Sequence, residues 1–315
     1  MTLAEIFLRT LETTLPVFAM VFIGLGLRKL RWIDAAFVNT ASALVFRATL
    51  PTLIFLSILR ADLDIALNPG LLGFFLLATL GSFALAWLWS LWRVPRPDRG
   101  VYVQGCFRGN CGIVGLALAA SMYGDYGLSA GGILLGLVII SYNILSVVVL
   151  LTYQSEQKLR WGDILGDIGR NPLILAVVIA VPFAWWDIAL PQWVMTSGDY
   201  FASLTLPLAL LCIGATISVN AIRSDSGPAL GAAGFKMLTL PALCTGAAYL
   251  LGFEGRELGL MFLYFASPTA AASFVMVKAL GGNARMAANI VAMTTLLASV
   301  TITLGVFVLE SAGAI

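Results

Sequence analysis

Ten stretches of about twenty mostly apolar residues constrain this chain more than any other feature; they lie at 14–30, 36–59, 71–93, 101–123, 129–153, 172–190, 199–220, 228–252, 256–280 and 288–309. As a helix, a run of that length matches the hydrocarbon core of a bilayer. The runs are continuous rather than alternating, which excludes a closed β-barrel. Only 11% of the 315 residues are charged, against about 25% in a soluble domain. A soluble enzyme, a disordered chain and a fibrous protein are thereby excluded. The expectation is an all-α polytopic membrane protein with ten transmembrane helices. The first segment mixes Glu5, Arg9 and Glu12 ahead of its apolar run. A cleavable signal starts basic and ends in small residues, so the first helix is expected to stay in the mature protein.

Basic residues gather on alternate loops. Arg28, Lys29 and Arg31 follow the first run, Arg93, Arg96 and Arg99 the third, and Lys158, Arg160 and Arg170 the fifth. Arg223 follows the seventh, and Lys278 and Arg285 flank the ninth, while the remaining loops and both ends hold Arg9, Arg60 and Arg256. That bias puts the first set in the cytoplasm and, with an even number of spans, both termini outside a cell (inner) membrane. A net charge of +2 is too small and scattered for nucleic acid. Histidine is absent, which removes the usual metal ligand and general base. Cys106, Cys111, Cys212 and Cys244 sit in apolar runs without a CxxC pair and read as small buried hydrophobes. With no mid-span acid and no thiol–base pair, a catalytic set has nothing to be built from. The expectation is a non-enzyme without metal or cofactor.

Five spans per half is an odd number, so a duplicated half would sit upside down, the inverted repeat of secondary transporters. Pro16 and Pro172 stand at the starts of the first and sixth runs, 156 positions apart, and Pro51 and Pro207 share that offset within Thr-Leu-Pro. The same tripeptide also occurs at 14–16 and 239–241, so the offset carries the weight. The fourth run clusters Gly105, Gly109, Gly112 and Gly115, and the ninth carries Pro268 after Ser267; Asn110 plus 156 falls beside that Ser-Pro pair. Glycine unwinds a helix cheaply and proline removes a backbone donor. Such a break survives in a bilayer only where protein or a watery cavity satisfies it, and two matched breaks point to a substrate site.

Every acidic residue falls in a loop or near a helix end, so no carboxylate proton relay is expected mid-membrane. Arg47 and Arg108 do lie inside spans, each costing about 2.5–3.5 kcal/mol if it faced lipid. An organic anion is a candidate counter-charge for Arg108, with snorkelling or carbonyl capping as the other reading; Arg47 is expected to snorkel or cap carbonyls, and Lys236 and Lys278, nearer the cytoplasmic surface, to snorkel. Asn143, Asn289 and Thr294 are further mid-span polar groups, of the kind that usually bond to neighbouring helices. The pairs Gly105/Gly109 and Gly127/Gly131 signal close helix packing.

Several stretches together, in their order and spacing, resemble the auxin efflux carrier family in its bacterial branch. They are LPVFAMVFIGLGLRKL, VFRATLPTLIF, FRGNCGIVGLALAASMYGDYG, LPLALLCIGATI, SPTAAASFVMVKALGG and TTLLASVTITL. The resemblance implies a 5+5 inverted repeat, like that of bile-acid carriers and sodium–proton antiporters, with crossing broken helices four and nine. It implies halves at 1–153 and 172–315 joined by a linker at 154–171, with helices 1, 2, 6 and 7 as scaffold and 3–5 and 8–10 as an elevator-like transport domain. It further implies alternating-access transport of small organic anions, carboxylates among them, by a homodimer in the lipid bilayer. A sodium-coupled symporter is the alternative. Arg108, Asn110, Cys111, Gly112, Asn143, Ser267, Pro268 and Thr269 are the residues expected to bind substrate. The long central hydrophilic loop of the plant carriers is missing, so regulation through it is not implied.

Overall fold

The computed structural model describes residues 2–61, 63, 68–153, 166, 169–217 and 227–315. Lys158, Arg160, Arg223 and most of the linker 154–171 lie outside the described residues. Among the described residues no strand forms, and a lone β-bridge joins Gly109 to Thr269. Helix α1 spans Leu3–Lys29, α2 Ala35–Leu59, α3 Pro69–Arg93, α4 Arg99–Phe107 and α5 Cys111–Tyr153. In the second half α6 spans Pro172–Trp185, α7 Gln192–Thr216, α8 residues 227–250, α9 Gly255–Ala266, α10 Ala271–Ala279 and α11 Ala284–Ser311. The protein is therefore a multi-pass helical membrane protein.

Six of these helices are individually long and apolar enough to cross a membrane, fewer than the ten apolar runs. The chain's own folding accounts for much of the difference. Helix α5 is a hairpin, because Gly124 leaves the helical region with φ 54° and ψ −131°. Ala119 and Gly127 would be about 12 Å apart along a straight helix, yet a Cβ on Gly127 would overlap the Ala119 carbonyl. The fourth run is split between α4 and the first arm of α5, and the ninth between α9 and α10.

Helix starts follow local chemistry. A capping box between Thr2 and Glu5 begins α1 at Leu3, eleven residues before the apolar run. Pro16 thus lies inside α1 rather than opening it, whereas Pro172 does stand at a first helical position, behind the Asn171 cap. Asp34 and Asn68 cap α2 and α3. Three other prolines inside spans adjoin irregular turns. Pro51 and Pro241 each follow a π-helical turn, Val45–Thr49 and Phe235–Thr239. A wider turn relieves the clash between the proline ring and the carbonyl four residues back. Pro207 sits instead in the first turn after a break at Leu204.

Lipid tails are as apolar as the side chains, so close packing holds the helices together. Helix α1 packs on the second arm of α7, and α6 on the second arm of α2. Gly24 and Gly214 carry the α1–α7 contact: a Cβ on either would overlap a backbone carbonyl of the other helix, Leu211 or Val21. Helices α4 and α9 are the most deeply placed, with 100–107 and 258–266 buried all round. Phe75 of α3 stacks on Phe265, with centroids 4.5 Å apart, and Phe107 meets Phe83 and Tyr142 edge-on.

Candidate functional site

The two interrupted helices meet end to end. Helix α4 stops at Phe107, and Arg108, Gly109 and Asn110 run in extended or irregular backbone before α5 begins at Cys111. Helix α9 stops at Ala266, and residues 267–270 lead into α10. The two breaks pair antiparallel. Asn110 N–H donates to the Pro268 carbonyl at 2.7 Å, and Ala270 N–H to the Arg108 carbonyl at 3.0 Å. Freed backbone groups thus satisfy each other, which allows non-helical chain this deep in the protein. The opposed residues Gly109 and Thr269 are 160 positions apart, four more than the 156 shared by the prolines.

Side chains brace the broken ends. A helix leaves its last four carbonyls without intrahelical donors. In α9, Ser267 Oγ donates to the Leu263 carbonyl at 2.8 Å, Cys111 Sγ to that of Tyr264 at 3.3 Å, and Lys236 Nζ to that of Phe265 at 3.0 Å. In α4, Thr269 Oγ1 donates to the Gly105 carbonyl at 2.7 Å, while Thr269 N–H donates to Thr294 Oγ1 at 3.0 Å. Gly115 is small because a Cβ there would stand 2.7 Å from Ser267 Oγ.

All eight residues expected at the site lie at or beside this crossing, in different roles. Ser267 and Thr269 are buried and committed to carbonyls, and Pro268 supplies its carbonyl to Asn110. Arg108 is folded against the second arm of α5. Its Nη1 donates to the Tyr142 carbonyl at 3.1 Å and Ser146 Oγ at 3.0 Å, and its Nη2 to Asn143 Oδ1 at 2.9 Å. Its buried Nε has no partner among the described residues. Asn110 and Gly112 are half-buried, and among the described residues the Asn110 side chain makes no hydrogen bond. The α5 and α10 starts carry no side-chain cap, so the positive ends of two helix dipoles face the crossing.

Lys236 corrects an expectation. Instead of snorkelling it is fully buried at the crossing, whereas Arg47 and Lys278 are exposed. Arg108 and Lys236 are the buried charged residues among those described, and no acidic residue is buried with them. The sequence held the signal for Lys236: like Arg108 it stands about 12 Å inside its apolar run. A separate cavity of about 280 Å³, between Arg9 and Thr13 of α1, Tyr123 at the hairpin and Glu310 of α11, gathers no comparable set of groups.

Comparison with known proteins points to membrane transport. A family model described as membrane transport protein matches residues 10–166 and 163–306. An uncharacterized transporter of Methanothermobacter thermautotrophicus is 25% identical over 314 residues, covering 95% of this chain and 98% of the relative. An uncharacterized transporter of Methanocaldococcus jannaschii is 23% identical over 192 residues, covering 59% and 61%.

Proposed function

The chain belongs to this membrane transport protein family, that of the auxin efflux carriers, and from that premise we propose that it is a secondary transporter of small organic anions, carboxylates in particular. One observation carries the reading. Two uncapped helix starts, Cys111 and Ala271, meet across the backbone bridge beside two buried cations that have no buried acid, with the Asn110 side chain unspent. Positive dipole ends and unpaired buried cations favour an anion, and half-helix starts aimed at an anionic group are how discontinuous helices bind substrate.

The reading includes ten membrane crossings in two inverted halves, 1–153 and 172–315. The exchange-symmetric pairs α1–α7 and α6–α2 and the facing breaks support it. Helices α1, α2, α6 and α7 form the scaffold, and the helices of runs three to five and eight to ten move against it in an elevator-like, alternating-access cycle. Both termini face outward from the cell membrane, and two copies form a dimer. Moving one anionic charge out along an interior-negative potential yields about 2.3 kcal/mol per 100 mV, so export of a monoanion needs no coupled ion.

A sodium-coupled symporter is the second reading, favoured by the buried Gln104 Oε1, an acceptor with no partner among the described residues. Thermal shifts of purified protein with mono- and dicarboxylates, with and without sodium, separate the two. Anion transport predicts stabilisation by a carboxylate, which only the symporter makes dependent on sodium. No shift with any carboxylate, together with no carboxylate flux in proteoliposomes, contradicts both. The same assay weighs Arg108. Arg108→Gln removes the charge and is expected to weaken anion binding about tenfold or more, and Arg108→Lys much less. Equal losses assign Arg108 to packing against α5 alone.

A further inference from the structure

Lys236 has surroundings that a structural lysine does not need. Its π-helical turn in α8 aims the side chain inward, and every atom of it is out of solvent. The ammonium donates to the Phe265 carbonyl at 3.0 Å. A Cβ on Gly109 would stand 3.0 Å from Lys236 Nζ, 3.1 Å from Cys111 Sγ and 3.3 Å from the Tyr264 carbonyl oxygen. The nitrogen therefore lies against the backbone of the first break and the last carbonyls of α9. Carbonyl oxygens at a helix C-terminus, with about half a negative charge, are the surroundings a small monovalent cation seeks. No carboxylate among the described residues is buried with the ammonium.

We propose that Lys236 is a tethered cation of the transport site. Its ammonium permanently fills the position that a coupling inorganic cation would occupy at the crossing, so anion binding there requires no such ion. The inference rests on the anion-transport reading and decides against its sodium-coupled variant. The tether holds the α9 end in place and leaves positive charge for the anion, and Gly109 is small because a side chain there would press on the nitrogen.

The test is carboxylate counterflow in proteoliposomes made with sodium, potassium or N-methylglucamine salts, on wild type and on Lys236→Arg, Lys236→Met and Lys236→Ala. Wild type is expected to run equally in all three media, and Lys236→Arg to keep most of its rate. Lys236→Met is expected to lose more than about tenfold with no fall in melting temperature, because it replaces a buried unpaired charge by a side chain of similar volume. Lys236→Ala is expected to regain several-fold activity with sodium or methylammonium. Wild-type dependence on sodium, a Lys236→Met protein at wild-type rate, or a Lys236→Ala defect that no small cation relieves would each overturn the tethered-cation role. A wild type without carboxylate flux in any medium instead removes the transport reading itself.

Discussion

Asn110→Ala is expected to lower carboxylate transport by about 10- to 100-fold while leaving the fold intact. One hydrogen bond to a charged ligand contributes about 1.5–3 kcal/mol. The fold survives because the structural work of Asn110 is done by its backbone. Its N–H bonds Pro268, and its carbonyl accepts from Val114 N–H at 3.0 Å. Its φ of −84° and ψ of 53° need no left-handed backbone, and its side chain braces nothing among the described residues. Counterflow rates and melting curves on the same preparation check this. A variant transporting at the wild-type rate takes Asn110 out of the site.

Gly127→Val is expected to leave no folded protein. A Cβ at this position would overlap the Ala119 carbonyl and approach Ala120 N to 3.1 Å. These are backbone atoms in the facing arm of the hairpin and cannot rotate away. The arms of α5 would have to part, which disrupts the packing that holds the first break against Tyr142 and Asn143. Overpacking of this kind costs about 3 kcal/mol or more. Gly26→Ala serves as the control, since its Cβ would meet nothing within 4 Å. Monodispersity in detergent and thermal melting report the outcome. A Gly127→Val protein that melts like wild type means that the hairpin does not close there.

Much of this architecture is legible from residue order alone. Apolar runs, the glycine cluster at 105–115 and Pro268 mark the spans and both breaks, because membrane insertion and helix breaking are local properties. The pairs Gly105/Gly109 and Gly127/Gly131 foretell close approach, and a Cβ on Gly105 would indeed press on Ile290 of α11 at 2.8 Å. What sequence does not carry is the partner of each polar group, since that is set by tertiary packing. Arg108 reaches three acceptors on an arm thirty-four to thirty-eight residues away. Ser267 and Thr269, read as ligands, spend their hydroxyls on carbonyls. Lys236 is legible by depth, yet its burial in a π turn beside the α9 end is a matter of tertiary packing. The residues opposed at the bridge are 160 positions apart, an offset that the 156 of the prolines does not give.

The most direct measurement is a structure of the purified protein with a bromine-labelled carboxylate bound, read by anomalous scattering. The expected result is bromine density at the crossing, with the carboxylate about 3 Å from the Asn110 side chain and from the first N–H groups of α5 and α10. A carboxylate bound elsewhere, with α4 and α5 or α9 and α10 forming unbroken rods, would contradict it.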